Sequence, residues 1–271
     1  MTPPLIFLLD LDGTMQGDVR PQLQEYDLIR YINRMIVHGK KLRYRLKNLY
    51  NDMDKGLLRP GLKDALLHIK KAHPHVEFFV YTASTSDWAH FVISKIERHC
   101  FGQTFFNRPL FTRNHCDMSD GTKSIARVFP MVKQALDKKY PGKIYKENVF
   151  LIDNNPVLKT HEMQHLILCP SYDYVHVVDP LREVPKNVIN DFILEISYHI
   201  TSRTSRNKQL AIRTLYDDIK THMKNSVEVN QFHRNDRFFF IMADIISKRR
   251  IRRGEELKAT IRDLRNIRLK V

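Results

Sequence analysis

The sequence predicts an α/β protein with a three-layered parallel sheet. Three continuous apolar runs are typical of strands buried on both faces of such a sheet. Between and after the runs, apolar residues recur at helical spacing. The chain has 271 residues, 42% apolar and 28% charged, and this ordinary globular composition excludes wholesale disorder and a disulfide-stapled miniprotein. The three runs are Pro4–Leu9, Val76–Tyr81 and Asn148–Ile152.

Each predicted strand is followed by small polar residues. In chain order these are Asp10 and Asp12, then Thr82, Ala83 and Ser84, then Asp153, Asn154 and Asn155. Ligand sites in open α/β sheets lie just beyond the carboxyl ends of the strands. We therefore expect the three strand endings to converge in one crevice.

Helical patterns separate the predicted strands. Gly61–Ala72 and Trp88–Cys100 each carry apolar residues at helical spacing. Two further helices are predicted within residues 22–54, so we expect a helical insertion over about residues 15–58, between the first strand and the next βα unit.

Positive charge is concentrated in the C-terminal part of the chain. The sheet pattern ends near Pro180, which predicts an α/β domain over residues 1–180 and a basic helical region over 181–271. Residues 201–271 hold 18 Lys and Arg against 8 Asp and Glu, +10 of the net charge of +15. Such a segment suits contact with nucleic acid or an acidic protein surface. The apolar triplet Phe238–Phe240 would be costly to expose, so we expect it to pack on the α/β domain or on a partner protein.

Cysteine content and hydropathy indicate an intracellular protein. The three cysteines lack metal-ligand or redox spacing and are interpreted as reduced thiols. The apolar run before Asp10 is too short for a signal peptide or a membrane span, and no membrane association is expected. The nucleus, the cytoplasm and a virus particle remain the expected locations.

Asp10 and Asp12 have the spacing of a carboxylate pair for phosphoryl transfer. One carboxylate can attack phosphorus while the other donates and later accepts a proton. The charge that develops on the phosphoryl oxygens calls for a hydroxyl donor, a cation and a divalent metal. Mg²⁺ is the expected ion, because the candidate ligands are all oxygens. The alternative is an acidic turn that caps the next helix. Candidates for the hydroxyl, the cation and the metal ligands are Thr82, Lys123, and Asp153 with Asn154.

Four further motifs follow the first acidic pair in a fixed order. They are Arg59-Pro60-Gly61, then Tyr81-Thr82-Ala83-Ser84 with Trp88-Ala89, then Leu110-Phe111-Thr112-Arg113 with Cys116, then Asp153-Asn154-Asn155-Pro156. With Asp10-Leu11-Asp12-Gly13-Thr14, this order resembles the haloacid-dehalogenase-like phosphatases. Within them it is similar to the branch of the RNA polymerase II carboxy-terminal-domain phosphatases and the NLI-interacting-factor-like phosphatases. The resemblance covers about residues 4–180 and implies a Rossmann-like sheet.

The resemblance also implies a chemistry and its residues. It implies an Mg²⁺-dependent phosphomonoester hydrolase that forms an aspartyl-phosphate on Asp10, with Asp12 as general acid and base. The expected substrate is phosphoserine or phosphothreonine in a protein or peptide. Thr82 and Lys123 would hold the phosphoryl oxygens. Mg²⁺ would bind the Asp10 side chain, the Asp12 backbone carbonyl and Asn154, with Asp153 supporting that shell.

Some assignments stay open at this point. Lys133 is an alternative to Lys123, because an extension over about residues 130–146 separates Lys123 from the last motif. Gly13 stands where this branch has a larger residue, and residues 15–58 look helical where the small carboxy-terminal-domain phosphatases are extended. A nucleic-acid 5′ or 3′ end phosphatase is a second hypothesis. A non-enzymatic binding module of a nucleoprotein or virus-associated complex is a third.

Overall fold

A computed structural model describes residues 2–17, 52–117, 119, 121–173, 235–248 and 262–263. Within these residues the strands form one parallel four-stranded sheet of order β2-β1-β3-β4. Strand β1 is central, and Phe7 pairs with Phe78 on one side and Phe150 on the other. The strand that follows β1 in the chain therefore pairs with one edge of β1, and a later strand pairs with its other edge. Ligands of open α/β sheets bind at such a point, where the strand order reverses. The strands are β1 (Leu5–Leu9), β2 (Val76–Val80), β3 (Val149–Asp153) and β4 (Leu166–Leu168).

Helices connect the strands. They are α1 (Leu62–Ala72), α2 (Ser86–Ile96), α3 (Ile125–Leu136) and α4 (Phe238–Ser247) among the described residues. Short π-helical turns occupy Met53–Leu57 and Glu97–Phe101, and 3₁₀ turns occupy Arg113–His115, Lys146–Asn148 and Thr160–His165.

Two apolar layers enclose the sheet, because alternate strand residues face opposite sides. On one side, Phe7 lies against Phe78 and Phe150, with ring centroids 6.0 and 6.3 Å away. Helix α1 belongs to this side, since Phe105 stacks on Phe78 and Lys70 lies over the Phe105 ring. The α/β class and the layered parallel sheet are confirmed. The core on the other side joins β1–β3 to α3 and includes Ile6, Leu8, Phe79, Leu151, Val128 and Val132.

The described elements differ in part from the sequence expectations. Strand β4 is a short run that the sequence pattern did not single out. Helix α3 continues through Pro130 to Leu136, so the first part of the extension between Lys123 and the last motif is helical. Of the expected insertion over 15–58, most lies outside the described residues. Its ends pair with each other, because Gly17 N–H donates to the Leu57 carbonyl at 2.7 Å.

The chain divides into two compact units. One comprises Met1–Gly17, Gly56–Tyr172 and Asn235–Val271, and the other comprises Asp18–Lys55 and Asp173–Arg234. Of the second unit only residues 52–55 and 173 are described. Of the basic helical region expected over 181–271, only residues 235–248 and 262–263 are among the described residues. No helix in the described part of the chain is long and apolar enough to cross a membrane.

Helix α4 packs against α1 within the first unit. Phe238 and Phe239 are fully buried, whereas Phe240 is 44% exposed. The Phe240 ring abuts Gly61, whose φ is +76°, and a Cβ at Gly61 would lie 2.7 Å from that ring. His73 Nε2 donates to the Ile246 carbonyl at 2.7 Å at the other end of the contact. The expected packing of the triplet on the α/β domain is thus confirmed for its first two members.

Candidate active site

A buried ion cluster lies at the carboxyl end of the central strand. Lys123 Nζ donates to Asp10 Oδ1 and to Asp153 Oδ2, at 2.6 Å in each case. Asp10 directly follows β1 and Asp153 ends the neighbouring strand β3. Parallel pairing of β1 with β3 therefore brings the two carboxylates to one ammonium group.

Backbone contacts fix Lys123 in this position. Its N–H donates to the Val157 carbonyl at 2.8 Å, and its own carbonyl accepts from Lys159 N–H at 3.2 Å. Helix α3 begins two residues later, where both oxygens of Glu162 accept the N–H groups of Ile125 and Ala126 at 2.8 Å. A carboxylate at a helix N-terminus satisfies donors that the helix itself leaves unpaired. Glu162 thereby holds the start of the helix that Lys123 precedes.

The cluster has two carboxylates for one ammonium, and this excess of negative charge affects the pKa values of Asp10 and Lys123. Burial raises the pKa of Asp10 to about 6, while Lys123 opposes the shift and Asp153 adds to it. Burial acts to lower the pKa of Lys123, but the two carboxylates outweigh it and raise that pKa above its ordinary value. Lys123 therefore stays charged, as a group that neutralises an anion must.

Asp12 is held by two side chains from different parts of the chain. Ser84 Oγ donates to Asp12 Oδ2 at 2.5 Å, and Gln16 Nε2 donates to Asp12 Oδ1 at 2.9 Å. Thr82 is buried, and its Oγ1 accepts from Ser84 N–H at 3.1 Å. The second strand ending thus reaches the acidic pair through Ser84. Gln16 is itself buried, and its Oε1 has no hydrogen-bond partner among the described residues.

Asn154 forms hydrogen bonds with the turn that follows Asp12. Asn154 N–H donates to Thr14 Oγ1 at 3.1 Å, and that hydroxyl donates to Asn154 Oδ1 at 3.2 Å. Gly13 has a φ of +79°, and a Cβ there would lie 2.6 Å from Asn154 Nδ2. A larger residue at position 13 would be strained by the backbone conformation and would have to displace the Asn154 side chain. This explains the departure from the branch pattern that the sequence showed.

The oxygens at this site suit a hard divalent cation. Asp10 and Asn154 offer a carboxylate and an amide oxygen, ligands that Mg²⁺ accepts together with water. Within the described residues no group of three or more His, Cys, Asp or Glu side chains gathers as a metal site. A carboxylate and an amide oxygen fit Mg²⁺ better than Zn²⁺, which prefers nitrogen and sulfur ligands.

The structure brings the three expected strand endings together. Two residues that sequence reasoning gave no role, Ser84 and Gln16, contact Asp12 directly. Gln16 follows Asp12 by four residues, but no helical pattern there marked it as a neighbour. Lys133 lies on an exposed position of α3, whereas Lys123 is 2% exposed. Arg113 Nε donates to the Ala83 carbonyl at 2.8 Å and so braces the second strand ending.

A parallel α/β sheet with acidic residues after its central strand is the architecture of the haloacid-dehalogenase-like phosphatases. The sequence matches the family of NLI interacting factor-like phosphatases over residues 5–183. The chain belongs to this family. The resemblance drawn from the motifs is confirmed, and with it the expectation of a phosphatase.

Some solved structures are also similar. A variant of the fission yeast RNA polymerase II CTD phosphatase Fcp1 bound to beryllium fluoride is 16% identical with a TM-score of 0.38, and the match covers 98% of this chain and 63% of that one. Another Fcp1 structure is 15% identical with a TM-score of 0.37, covering 96% and 70%. A CbbY variant from Rhodobacter sphaeroides is 16% identical with a TM-score of 0.31, covering 58% and 79%. No curated protein sequence matches the chain.

Proposed function

We propose that this protein is an Mg²⁺-dependent phosphomonoester hydrolase that acts through an aspartyl-phosphate on Asp10. The cluster of Asp10, Lys123 and Asp153 carries the proposal, since it places a nucleophilic carboxylate beside a fixed cation at the topological switch point of the sheet. The Lys123 ammonium opposes the effect of burial on the pKa of Asp10 and so favours the ionised carboxylate that a nucleophile requires.

In the first step, the Asp10 carboxylate forms a bond to phosphorus as the bond from phosphorus to the substrate oxygen breaks. Asp12 gives its proton to that departing oxygen, so the alcohol leaves neutral. Ser84 and Gln16 hold both oxygens of Asp12 and so fix the direction of the transfer. Lys123 balances negative charge that would otherwise build up on the phosphoryl group and Asp10.

In the second step, water attacks the phosphorus of the aspartyl-phosphate and gives its proton to Asp12. The acyl phosphate bond breaks, inorganic phosphate leaves and Asp10 is restored as a carboxylate. The same Asp12 thus serves as acid and then as base. Asp153 keeps Lys123 in place through both steps.

Mg²⁺ would be held by the Asp10 side chain, the Asp12 backbone carbonyl and Asn154, with Asp153 supporting them. When bound, it supplies positive charge that offsets the charge of the phosphoryl group. Thr82 would donate to a phosphoryl oxygen. Lys123, rather than the exposed Lys133, is the phosphate-site lysine that this arrangement supports.

The substrate we propose is phosphoserine or phosphothreonine in a protein, and membership in the NLI interacting factor-like family supports it. Release of phosphate is measured from p-nitrophenyl phosphate, a phosphoserine peptide and a 3′-phosphorylated oligonucleotide, each with Mg²⁺ and with a chelator. We expect Mg²⁺-dependent release from the first two. Release from the oligonucleotide instead of the peptide would make the protein a nucleic-acid end phosphatase, and no release from any would refute hydrolysis.

Asp10→Asn tests the nucleophile. The amide keeps the shape of the side chain but is a poor nucleophile, so turnover should fall by at least about a thousandfold, which is about 4 kcal/mol of barrier. Asp244→Asn is the control, because Asp244 is exposed and its side chain forms a surface ion pair with Lys248, four residues later in the chain. Activity of Asp10→Asn within tenfold of wild type, with an unchanged melting curve, would remove Asp10 from this role.

A further inference from the structure

A buried arginine connects the C-terminal segment to the first unit. Arg59 is 1% exposed. Its Nε and Nη2 donate to the two carboxylate oxygens of Asp236 at 3.0 and 2.7 Å. Its guanidinium lies 4.9 Å from the centre of the Phe238 ring and 5.6 Å from that of Tyr172. This two-pronged geometry, with rings beside the planar group, fixes where the guanidinium sits.

The same arginine holds the loop that follows the acidic pair. Arg59 Nη1 donates to the Thr14 carbonyl at 3.4 Å, and the Arg59 backbone N–H donates to the Met15 carbonyl at 3.0 Å. The Thr14 hydroxyl in turn contacts Asn154 through both its donor and its acceptor functions. A continuous chain of contacts therefore runs from Asp236 through Arg59 and Thr14 to Asn154.

Asp236 lies beyond residues 5–183, the range over which the family is recognised. We propose that Asp236 is a positioning residue for the phosphatase site, acting through Arg59 on the Thr14 turn and Asn154. This inference rests on the proposed function only in the part of its test that measures phosphate release. Its structural content is that the C-terminal segment completes the site.

The energetics of a buried ion pair allow the positioning role of Asp236 to be tested separately from its contribution to stability. Removing one partner of a buried ion pair leaves an uncompensated charge, whereas replacing both partners with apolar side chains of similar size is often neutral or stabilising. Stability can therefore be restored without restoring the hydrogen bond to the Thr14 carbonyl. This separates a positioning role from a merely structural one.

The test compares the full chain with Asp236→Asn, with the double variant Arg59→Met, Asp236→Leu, and with Asp244→Asn as control. Hydrogen exchange is followed in peptides over residues 11–17 and 153–157, at a temperature where each protein is folded. Turnover of p-nitrophenyl phosphate is measured against Mg²⁺ concentration. We expect hydrogen exchange in both peptides to be faster than in wild type for Asp236→Asn and for the double variant. In the control, exchange should be the same as in wild type. Turnover or apparent Mg²⁺ affinity should fall by roughly 10- to 100-fold, the range for groups that orient metal ligands.

Two results would overturn the proposal. One is unchanged exchange over residues 11–17 in a folded Asp236→Asn protein. The other is a double variant that regains both the melting temperature and the exchange pattern of wild type, which would leave the pair only a structural role. Failure of the proposed function is recognised separately, because wild type would then release no phosphate while the exchange comparison still decides the positioning.

Discussion

Asp12 is the residue whose surroundings say most about the proposed chemistry. Its two oxygens accept hydrogen bonds from Ser84 and Gln16, which reach it from different loops. An acid that must protonate a departing oxygen gains from a fixed orientation, because proton transfer depends on distance and alignment.

Ser84→Ala should therefore slow hydrolysis of an alkyl phosphate by roughly 2- to 10-fold, since a hydrogen bond to the protonated, neutral acid contributes about 0.5–1.5 kcal/mol. Hydrolysis of p-nitrophenyl phosphate should be slowed less, because nitrophenolate leaves without needing a proton. The ratio of kcat values for the two substrates is the measurement. Ser86→Ala is the control, since Ser86 Oγ contacts His90 on the exposed side of α2. Equal slowing of both substrates would count against acid catalysis by Asp12.

The site shows which residues a sequence can predict and which it cannot. Asp10, Asp12 and Asp153 follow apolar strands directly, so the sheet topology alone brings them together. Ser84 was visible as a polar strand ending, but its contact with Asp12 depends on how the loop turns after β2. Asp236 carries no local signal, because its partner lies 177 positions earlier in the chain.

Among the elements, helix α3 is capped by a residue that lies more than 30 positions later in the sequence. Buried Glu162 accepts from the first N–H groups of the helix and forms an ion pair with Lys146 at 3.0 Å. Burial acts to raise the pKa of Glu162, but hydrogen bonds from Lys146, Ala126 and Ile125 lower it overall. The residues from Lys123 to Arg127 resemble a helix opening of the family, and a helix is found there, but Glu162 was not recognisable from the sequence as its cap.

Glu162→Gln should destabilise the protein by roughly 1.5–3 kcal/mol at pH 7, because charge-assisted hydrogen bonds at the helix start are lost. A carboxyl whose folded pKa is depressed stabilises the protein above its unfolded pKa, 4.5 here, and that stability is lost as pH falls through the folded pKa. The difference in melting temperature between wild type and variant should therefore be constant from pH 7 to 6 and shrink below about pH 4.5. Glu147→Gln, at an exposed position, is the control, and a difference that grows in acid would contradict the assignment.

At the scale of the whole molecule, α4 is part of the hydrophobic core of the first unit. Phe238, Phe239, Met242 and Ile246 are all buried. The charge of residues 201–271 suggested an accessory binding surface, whereas apolar residues at helical spacing and the aromatic triplet indicated packing. The periodicity of α4 did not show that it packs on α1, because an amphipathic pattern marks an apolar face without naming its partner.

Removing residues 235–271 should cause aggregation or a much lower melting temperature. Losing a buried phenylalanine alone costs roughly 3–5 kcal/mol, against a typical total stability of about 5–15 kcal/mol. Removing only residues 249–271 retains α4 and Asp236, so its effect should be smaller. Differential scanning fluorimetry and size-exclusion chromatography compare the two truncations. A soluble chain of residues 1–234 that melts like wild type would contradict the packing seen here.

The separation of Arg59 from Asp236 also sets an order of events during synthesis. Chains emerge from the ribosome at about 5–20 residues per second, so roughly 10–35 s pass between the two residues. Once Leu168 has emerged, a nascent chain has all the strands of the described sheet, but until Asp236 follows, it holds a guanidinium that has no carboxylate to meet. The α1 surface that α4 will cover is exposed until α4 has been made, and transiently exposed apolar surface is prone to aggregation. The contacts that run from Asp236 through Arg59 to the Thr14 turn can form only after Asp236 has left the exit tunnel.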